Sequence, residues 1–265
     1  MTKRTEVFWI RFAEFYCKVT AASGMKDFFH KYFCGTYVSI LGHAPKSYEI
    51  IAELIIRQKQ AQYGKTSVVI KNYQLRFIMT MIGSAHFYYP LLAAILQRIF
   101  MVLFYKYGGI IFHASSVEVQ GKAHVFVGDS GKGKTTIARL SNDLYGLRVL
   151  ADNQVFIRRQ GEEYLIYPFP FSQFHKDGAK ACLPIVAFYI LHKSVSFSVK
   201  PLTFIEGLHA IEHEIQILSA DNVTSDNKIS PTFRRTIFDF AKTVKIKRLY
   251  FLPTRGVWEA IYGFS

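Results

Sequence analysis

The alternation of hydrophobic and polar positions changes character near residues 106 to 110. Before that point, Tyr48 to Gln60 (YEIIAELIIRQKQ) predicts a helix, and Ser67 to Ile70 and Leu75 to Met81 predict strands. Phe87 to Tyr105 (FYYPLLAAILQRIFMVLFY) is the most apolar stretch and approaches transmembrane length. Gln97 and Arg98 lie at its centre, where a charge in lipid would cost a few kcal/mol. The expectation is a core helix entered just after Pro90, with no membrane span. Residues 1 to 105 therefore read as an α+β accessory region.

The second part of the chain is more legible. Gly109 to Val119 reads as extended chain, Gln120-Gly121 as a turn, and Ala123 to Val127 as a short buried strand. A helix is predicted from about Lys134 to Tyr145. Val149 to Ala151 forms another strand with Asp152-Asn153 at its carboxyl end, and Gln154 to Arg159 continues as a hairpin arm. The unbroken apolar run Ile185 to Leu191 marks a central strand. Thr203-x-x-Glu206 has the form of a capping box that opens a helix through roughly Leu218. Ser230-Pro231 supplies a cap and a first-turn proline for a helix to about Val244. Leu249 to Leu252 is a last strand and Val257 to Tyr262 a short terminal helix. Strand–helix alternation of this kind predicts an α/β layered core over residues 106 to 265.

Composition narrows the class. The chain has 265 residues, half of them apolar and 16% aromatic, which excludes a disordered or fibrous protein and requires a sizeable packed core. Three widely spaced cysteines, Cys17, Cys34 and Cys182, fit neither a disulfide framework nor a zinc knuckle. With no apolar run typical of a secretory signal around Arg11, Glu14 and Lys18, a reducing, cytoplasmic setting is expected. The net charge of +14 points to a solvated basic face, a phosphate-bearing ligand or nucleic acid. Its densest clusters, Arg234/Arg235 and Lys245/Lys247/Arg248, are short.

One motif carries specific chemistry. Gly128-Asp129-Ser130-Gly131-Lys132-Gly133-Lys134-Thr135 matches the G-x-x-x-x-G-K-[ST] phosphate loop, directly after a strand and at the start of a helix. Its glycines let main-chain N–H groups curl inward around phosphate oxygens, and the helix N-terminus adds positive potential. Lys134 is placed to reach the β- and γ-phosphates of ATP, the Thr135 hydroxyl to ligate Mg²⁺, and Thr136 to help at the α- or β-phosphate. Asp152, if it shares the carboxyl edge of a parallel sheet with this loop, can hold Mg²⁺ through water or accept the proton of an attacking hydroxyl. A weaker constellation, His209-x-x-x-His213 with Glu212 and Glu214, has metal-ligand spacing within an ordinary amphipathic pattern.

The run His113-Ala114-Ser115, the loop GDSGKGKTT and Leu150-Ala151-Asp152-Asn153 resemble the catalytic core of the HPr kinase/phosphorylase group, whose nucleotide site is similar to that of phosphoenolpyruvate carboxykinase. Within that group the likeness is closer to the kinases of peptide modification, such as those acting on lasso-peptide precursors. The resemblance implies that His113 positions the phosphate being transferred, that Asp152 is the base, and that Asn153 stands at the second metal-holding position, where the family carries an acid. It also implies self-association. The family's downstream glycine-rich signature is replaced by Tyr167 to Lys176 (YPFPFSQFHK), so an acceptor other than HPr is expected. Two functions follow as alternatives. One is a kinase acting on a Ser or Thr hydroxyl of a peptide or small protein, or on a small hydroxylated metabolite. The other is a nucleotide-dependent switch whose basic surface binds nucleic acid or an acidic partner.

Overall fold

The computed structural model describes residues 4–12, 15–33, 38–44, 51–59, 68–73, 76–82, 89–168, 182–215, 231–252, 254 and 256–262. The chain divides into two compact units, the first ending at Leu103 and the second beginning at Phe104.

The first unit is a mixed sheet with helices. Strands β1 (Thr5–Phe12) and β2 (Phe15–Ala22) form an antiparallel hairpin, followed by α1 (Met25–Phe33), β3 (Val38–Leu41), β4 (Ile51–Lys59), β5 (Val68–Tyr73) and β6 (Arg76–Ile82). The order across the sheet is β3-β1-β2-β4-β6-β5, with β4 parallel to both of its neighbours. Alternate residues of β2 are buried, and Phe29 of α1 meets Phe8 edge-on at 5.1 Å between ring centres. Helix α2 (Tyr89–Lys106) contributes Leu92, Leu96, Ile99 and Phe100 to the buried set, with Phe100 edge-on to Phe12 at 5.2 Å. By length and composition alone it is apolar enough to cross a membrane, and half of it is buried inside the protein.

The expected helix over Tyr48 to Gln60 is a strand in its described part, Ile51–Lys59. Tertiary pairing decides this. Glu53 stands in register between Lys18 of β2 and Arg76 of β6, and forms ion pairs with both at 3.5 and 2.8 Å. Buried Ala52, Leu54 and Ile56 alternate with this charged position, so the period is two rather than 3.6. The paired segments at 68–73 and 76–82 are strands as expected.

In the second unit, β7 (Gly109–Phe112), β8 (Ala114–Val119), β9 (Lys122–Val127), α3 (Lys134–Tyr145), β10 (Arg148–Asp152), β11 (Val155–Gln160), β12 (Glu163–Pro168), β13 (Leu183–Lys193), β14 (Ser198–Pro201), α4 (Phe204–Glu214), α5 (Pro231–Thr243), β15 (Ile246–Phe251) and α6 (Val257–Tyr262) follow in order. The extended segment Gly109 to Val119 is broken at His113, because β7 pairs with β11 while β8 pairs with β9 and β10. Gln120 and Gly121 both have positive φ, 51° and 73°, as a two-residue hairpin turn requires.

The long strand β13 is the spine. Its carboxyl half lies parallel between β9 and β15, and its amino half pairs with β12. Helices α3 and α6 cover one face through Ile137, Val257 and Trp258 packed on Phe126, Tyr189, Leu191 and Leu249. On the other face Phe240 of α5 packs against Phe112 and Phe188, and Gly207 of α4 lies against Ile246. A Cβ at Gly207 would sit 3.1 Å from Ile246 Cδ1, so the helix approaches the strand closely. Both halves of the predicted capping box of α4 are present, but the helix stops at Glu214 rather than near Leu218. Ile215 is extended and bridges to Phe112.

Candidate functional site

The phosphate loop begins where β9 ends. Gly128, Gly131 and Gly133 have φ of 151°, 78° and 106°, values that side-chain-bearing residues rarely adopt. At Gly133 a Cβ would also lie 2.4 Å from Cζ of Phe251, and at Gly128 it would press on Cβ of Lys132 at 3.2 Å. The motif thus satisfies two constraints at once, backbone sign and close packing against the neighbouring strand. Gly133 caps α3 with no side-chain hydrogen bond, which leaves the first-turn N–H groups to an incoming anion.

Lys134 is buried and its Nζ donates to the carbonyls of Gly128 at 2.5 Å and Asp129 at 3.1 Å. Burial lowers its pKa, and the carboxylates of Glu214, Asp129 and Asp152 oppose that shift. The loop and the ammonium are therefore held together as one unit. Ser115 Oγ, wholly buried on β8, donates to the carbonyl of Lys134 at 2.9 Å and ties the start of α3 to the sheet.

Asp152 ends β10 opposite Ser115, which in turn lies opposite Phe126 of β9. The sequence predicted a shared edge of a parallel sheet. Instead, antiparallel β8 separates β10 from β9, and two antiparallel pairings return β10 to the direction of β9. The Thr135 hydroxyl, Arg139, His113 and Lys134 all favour the ionised carboxylate, but burial prevails and raises its pKa. One of its oxygens, Oδ1, is buried with no hydrogen-bond partner. His113, in the bend between β7 and β8, lies against Asn153, and its pKa is lowered by burial and then by Lys134. The carbonyl of Asn153 also accepts from the N–H of Ala114 at 3.2 Å.

Of the residues singled out in the sequence, Lys134, Thr135, Asp152 and His113 come together. Asn153 is exposed and lies beside His113. Asp129 and Ser130 are exposed at the loop tip, where Asp129 and Lys132 form a loose ion pair at 3.9 Å, and Thr136 is half-buried. His209 is exposed and paired with Glu212 at 3.8 Å. Among the described residues no group of three or more His, Cys, Asp or Glu is arranged to hold a metal. Residues 169 to 176 of the aromatic segment lie outside the described residues.

Glu214 is the residue that sequence reasoning misplaced. It was grouped with His209 and His213, yet its carboxylate faces the Gly128 N–H, Lys134 and Asp129. Burial and Asp129 raise its pKa. No local signal marks it, because it reaches the loop only by the length and direction of α4. Arg139, beside Asp152, was likewise unmarked.

Fold and site together define a protein with a mixed α/β core in which a glycine-rich loop of phosphate-loop pattern, its lysine and a half-buried aspartate converge at one edge of the sheet. The chain belongs to the family of the SynChlorMet cassette protein ScmC, whose model matches residues 90–256. The solved structure of the Hpr(Ser) kinase/phosphatase from Coxiella burnetii is similar at 10% identity and a TM-score of 0.29, over 58% of this chain and 91% of that one. No curated protein matches. Neither of these matches connects the chain with lasso-peptide kinases.

Proposed function

We propose that the second unit is an ATP-dependent phosphotransferase that moves a γ-phosphoryl group to a hydroxyl acceptor. The observation that carries this reading is the convergence of Lys134, Thr135 and Asp152 at the mouth of the phosphate loop. The groups present suit a magnesium-bound triphosphate: a helix N-terminus with no side-chain cap, the Lys134 ammonium, and a buried carboxylate oxygen without a partner. Thr135 and Asp152 would hold Mg²⁺, with Asn153 as a weaker neutral neighbour; the ion would supply charge neutralisation between the phosphates.

In this reading the main-chain N–H groups of residues 129 to 134 and the Lys134 ammonium grip the phosphate tail. Gly128 and Asp129 carbonyls position that ammonium. Asp152 orients the acceptor hydroxyl and takes its proton as the new P–O bond forms, while the bond to the bridging oxygen of ADP breaks. Its raised pKa favours proton acceptance. His113, held by Asn153, stands beside Lys134 and Asp152 to position the group in transit. The acceptor class is a Ser or Thr hydroxyl of a peptide or small protein, or a small hydroxylated molecule, and we assign its recognition to the first unit.

The deciding experiment incubates the full-length protein with γ-labelled ATP, Mg²⁺ and a cell extract, following ADP and labelled acceptor together. The expected result is equal formation of both, abolished by Lys134→Ala. Asp152→Asn should keep nucleotide binding within about threefold and lose transfer by at least about a hundredfold. Transfer unchanged in Asp152→Asn would remove the base assignment, and binding unchanged in Lys134→Ala would remove the nucleotide site.

A further inference from the structure

At the amino edge of the parallel strands, opposite the phosphate loop, a groove of about 540 Å³ opens between the start of α4, the end of α5 and the start of β15. Helix α4 separates the two places: it begins at the groove with Phe204 and ends at the phosphate loop with Glu214, about 16 Å along its axis. The groove is thus no part of the nucleotide site.

Its walls combine two features that a solvated surface does not need. Phe204 and Phe238 remain 39% and 46% exposed although their rings meet edge-on at 4.9 Å, so an apolar floor is left open to a partner. The lining also contains Lys242, Lys245 and Lys247 and, among its described residues, no carboxylate. The Lys247 ammonium lies 5.9 Å over the Tyr189 ring, which leaves Lys242 and Lys245, both exposed, as the charges at the rim. On α5, Arg234, Phe238 and Lys242 follow at intervals of four and share one helical face, so the aromatic ring is flanked by cations along the helix as well.

We propose that this groove docks an acidic polypeptide segment that inserts a bulky apolar side chain between Phe204 and Phe238 and places carboxylates against Lys242, Lys245 and Arg234. Charge selects this occupant. A second copy of the chain would bring a net charge of +14 to a basic rim. The two rings turn an edge and a face to each other rather than presenting a stacked platform for bases. A concave floor receives a side chain better than the flat headgroup region of a bilayer does. Aromatic pockets of this kind, rimmed by charge, are the usual seat of binding energy in peptide recognition.

The test selects a random library of 12-residue displayed peptides against the immobilised full-length protein, then titrates the enriched peptides by fluorescence anisotropy. Enriched sequences should carry Asp or Glu around a Phe, Leu, Ile or Trp. Their affinity should fall at least about tenfold in Lys242→Glu/Lys245→Glu and in Phe238→Ala, with circular dichroism unchanged. Phe204→Ala gives a second reading of the floor should Phe238→Ala fail to fold. The Lys134→Ala variant should bind the peptides as the unaltered protein does, which separates this groove from the nucleotide site. Enrichment without an acidic bias, or affinity indifferent to the charge reversal, would overturn the proposal. So would capture only by anionic vesicles or RNA, or a dimer in sedimentation that the reversal abolishes.

Discussion

The side chain of Thr135 stands beside the carboxylate of Asp152 and favours its ionised form. The first residue is the second of α3 and the second closes β10, so a helix start and a strand end from separate stretches of chain meet beside the glycine-rich loop. Thr135→Val removes this hydroxyl while keeping the side-chain shape. Nucleotide binding measured with EDTA present should be little changed, and the gain in affinity on adding Mg²⁺ should fall about tenfold. An undiminished magnesium effect would show that Thr135 does not hold the ion.

Gly133 must keep both its backbone sign and its lack of a side chain. Gly133→Ala places a Cβ 2.4 Å from the Phe251 ring at φ 106°. Chemical denaturation should report a loss of roughly 2 kcal/mol or more, with nucleotide binding lost as the loop is displaced. A variant as stable as the parent would mean that Phe251 moves aside at little cost.

Glu214 puts a carboxylate against the loop proposed to receive a polyanion. In the proposed function its negative charge would compete with phosphate for Lys134 and for the Gly128 N–H. Glu214→Gln should therefore bind ATP several-fold more tightly at pH 8. Because burial and Asp129 raise the pKa of Glu214, the parent should gain affinity as the pH falls and the carboxylate is protonated, and the variant should lack that component. Isothermal titration across pH 5 to 8 measures both. Weaker binding by the variant would make Glu214 a structural brace for the loop.

His124 is held neutral in the second unit. Its ring nitrogens meet the hydroxyls of Tyr189 at 3.3 Å and Tyr262 at 3.0 Å, and burial, then Lys247, lowers its pKa from 6.5 to about 4. The unfolded chain binds this proton first, so the contribution is fully present above about pH 6.5 and is lost progressively as the pH falls toward 4. The loss is about 3 kcal/mol, and His124→Phe should flatten that part of the stability–pH curve in urea titrations.

Ser141 accepts the indole N–H of Trp258 at 2.9 Å and donates to the Ile137 carbonyl at 2.6 Å, fastening α6 to α3. Ser141→Ala leaves a buried indole N–H without its partner and should destabilise the protein by about 1 to 3 kcal/mol in urea titrations. A change below about 0.5 kcal/mol would mean that the indole finds another acceptor.

Where neighbours in sequence make the structure, the chain alone determined it. The turn at Gln120-Gly121, the glycines and lysine of the loop, helix α3, the capping box at Thr203 and the proline that opens α5 all depend on interactions within a few residues, and each stands where its pattern predicted. Tertiary structure decided the rest. The segment Ile51–Lys59 has a pattern that fits helix or strand, and only Lys18 and Arg76, 35 and 23 residues away from Glu53, select the strand. The break at His113 arises because two different strands claim the two sides of one extended run. Glu214 reaches Gly128, and Asp152 reaches Thr135, through pairings and helix lengths summed over the whole second unit, and a carboxylate carries no sequence mark of the loop it will face.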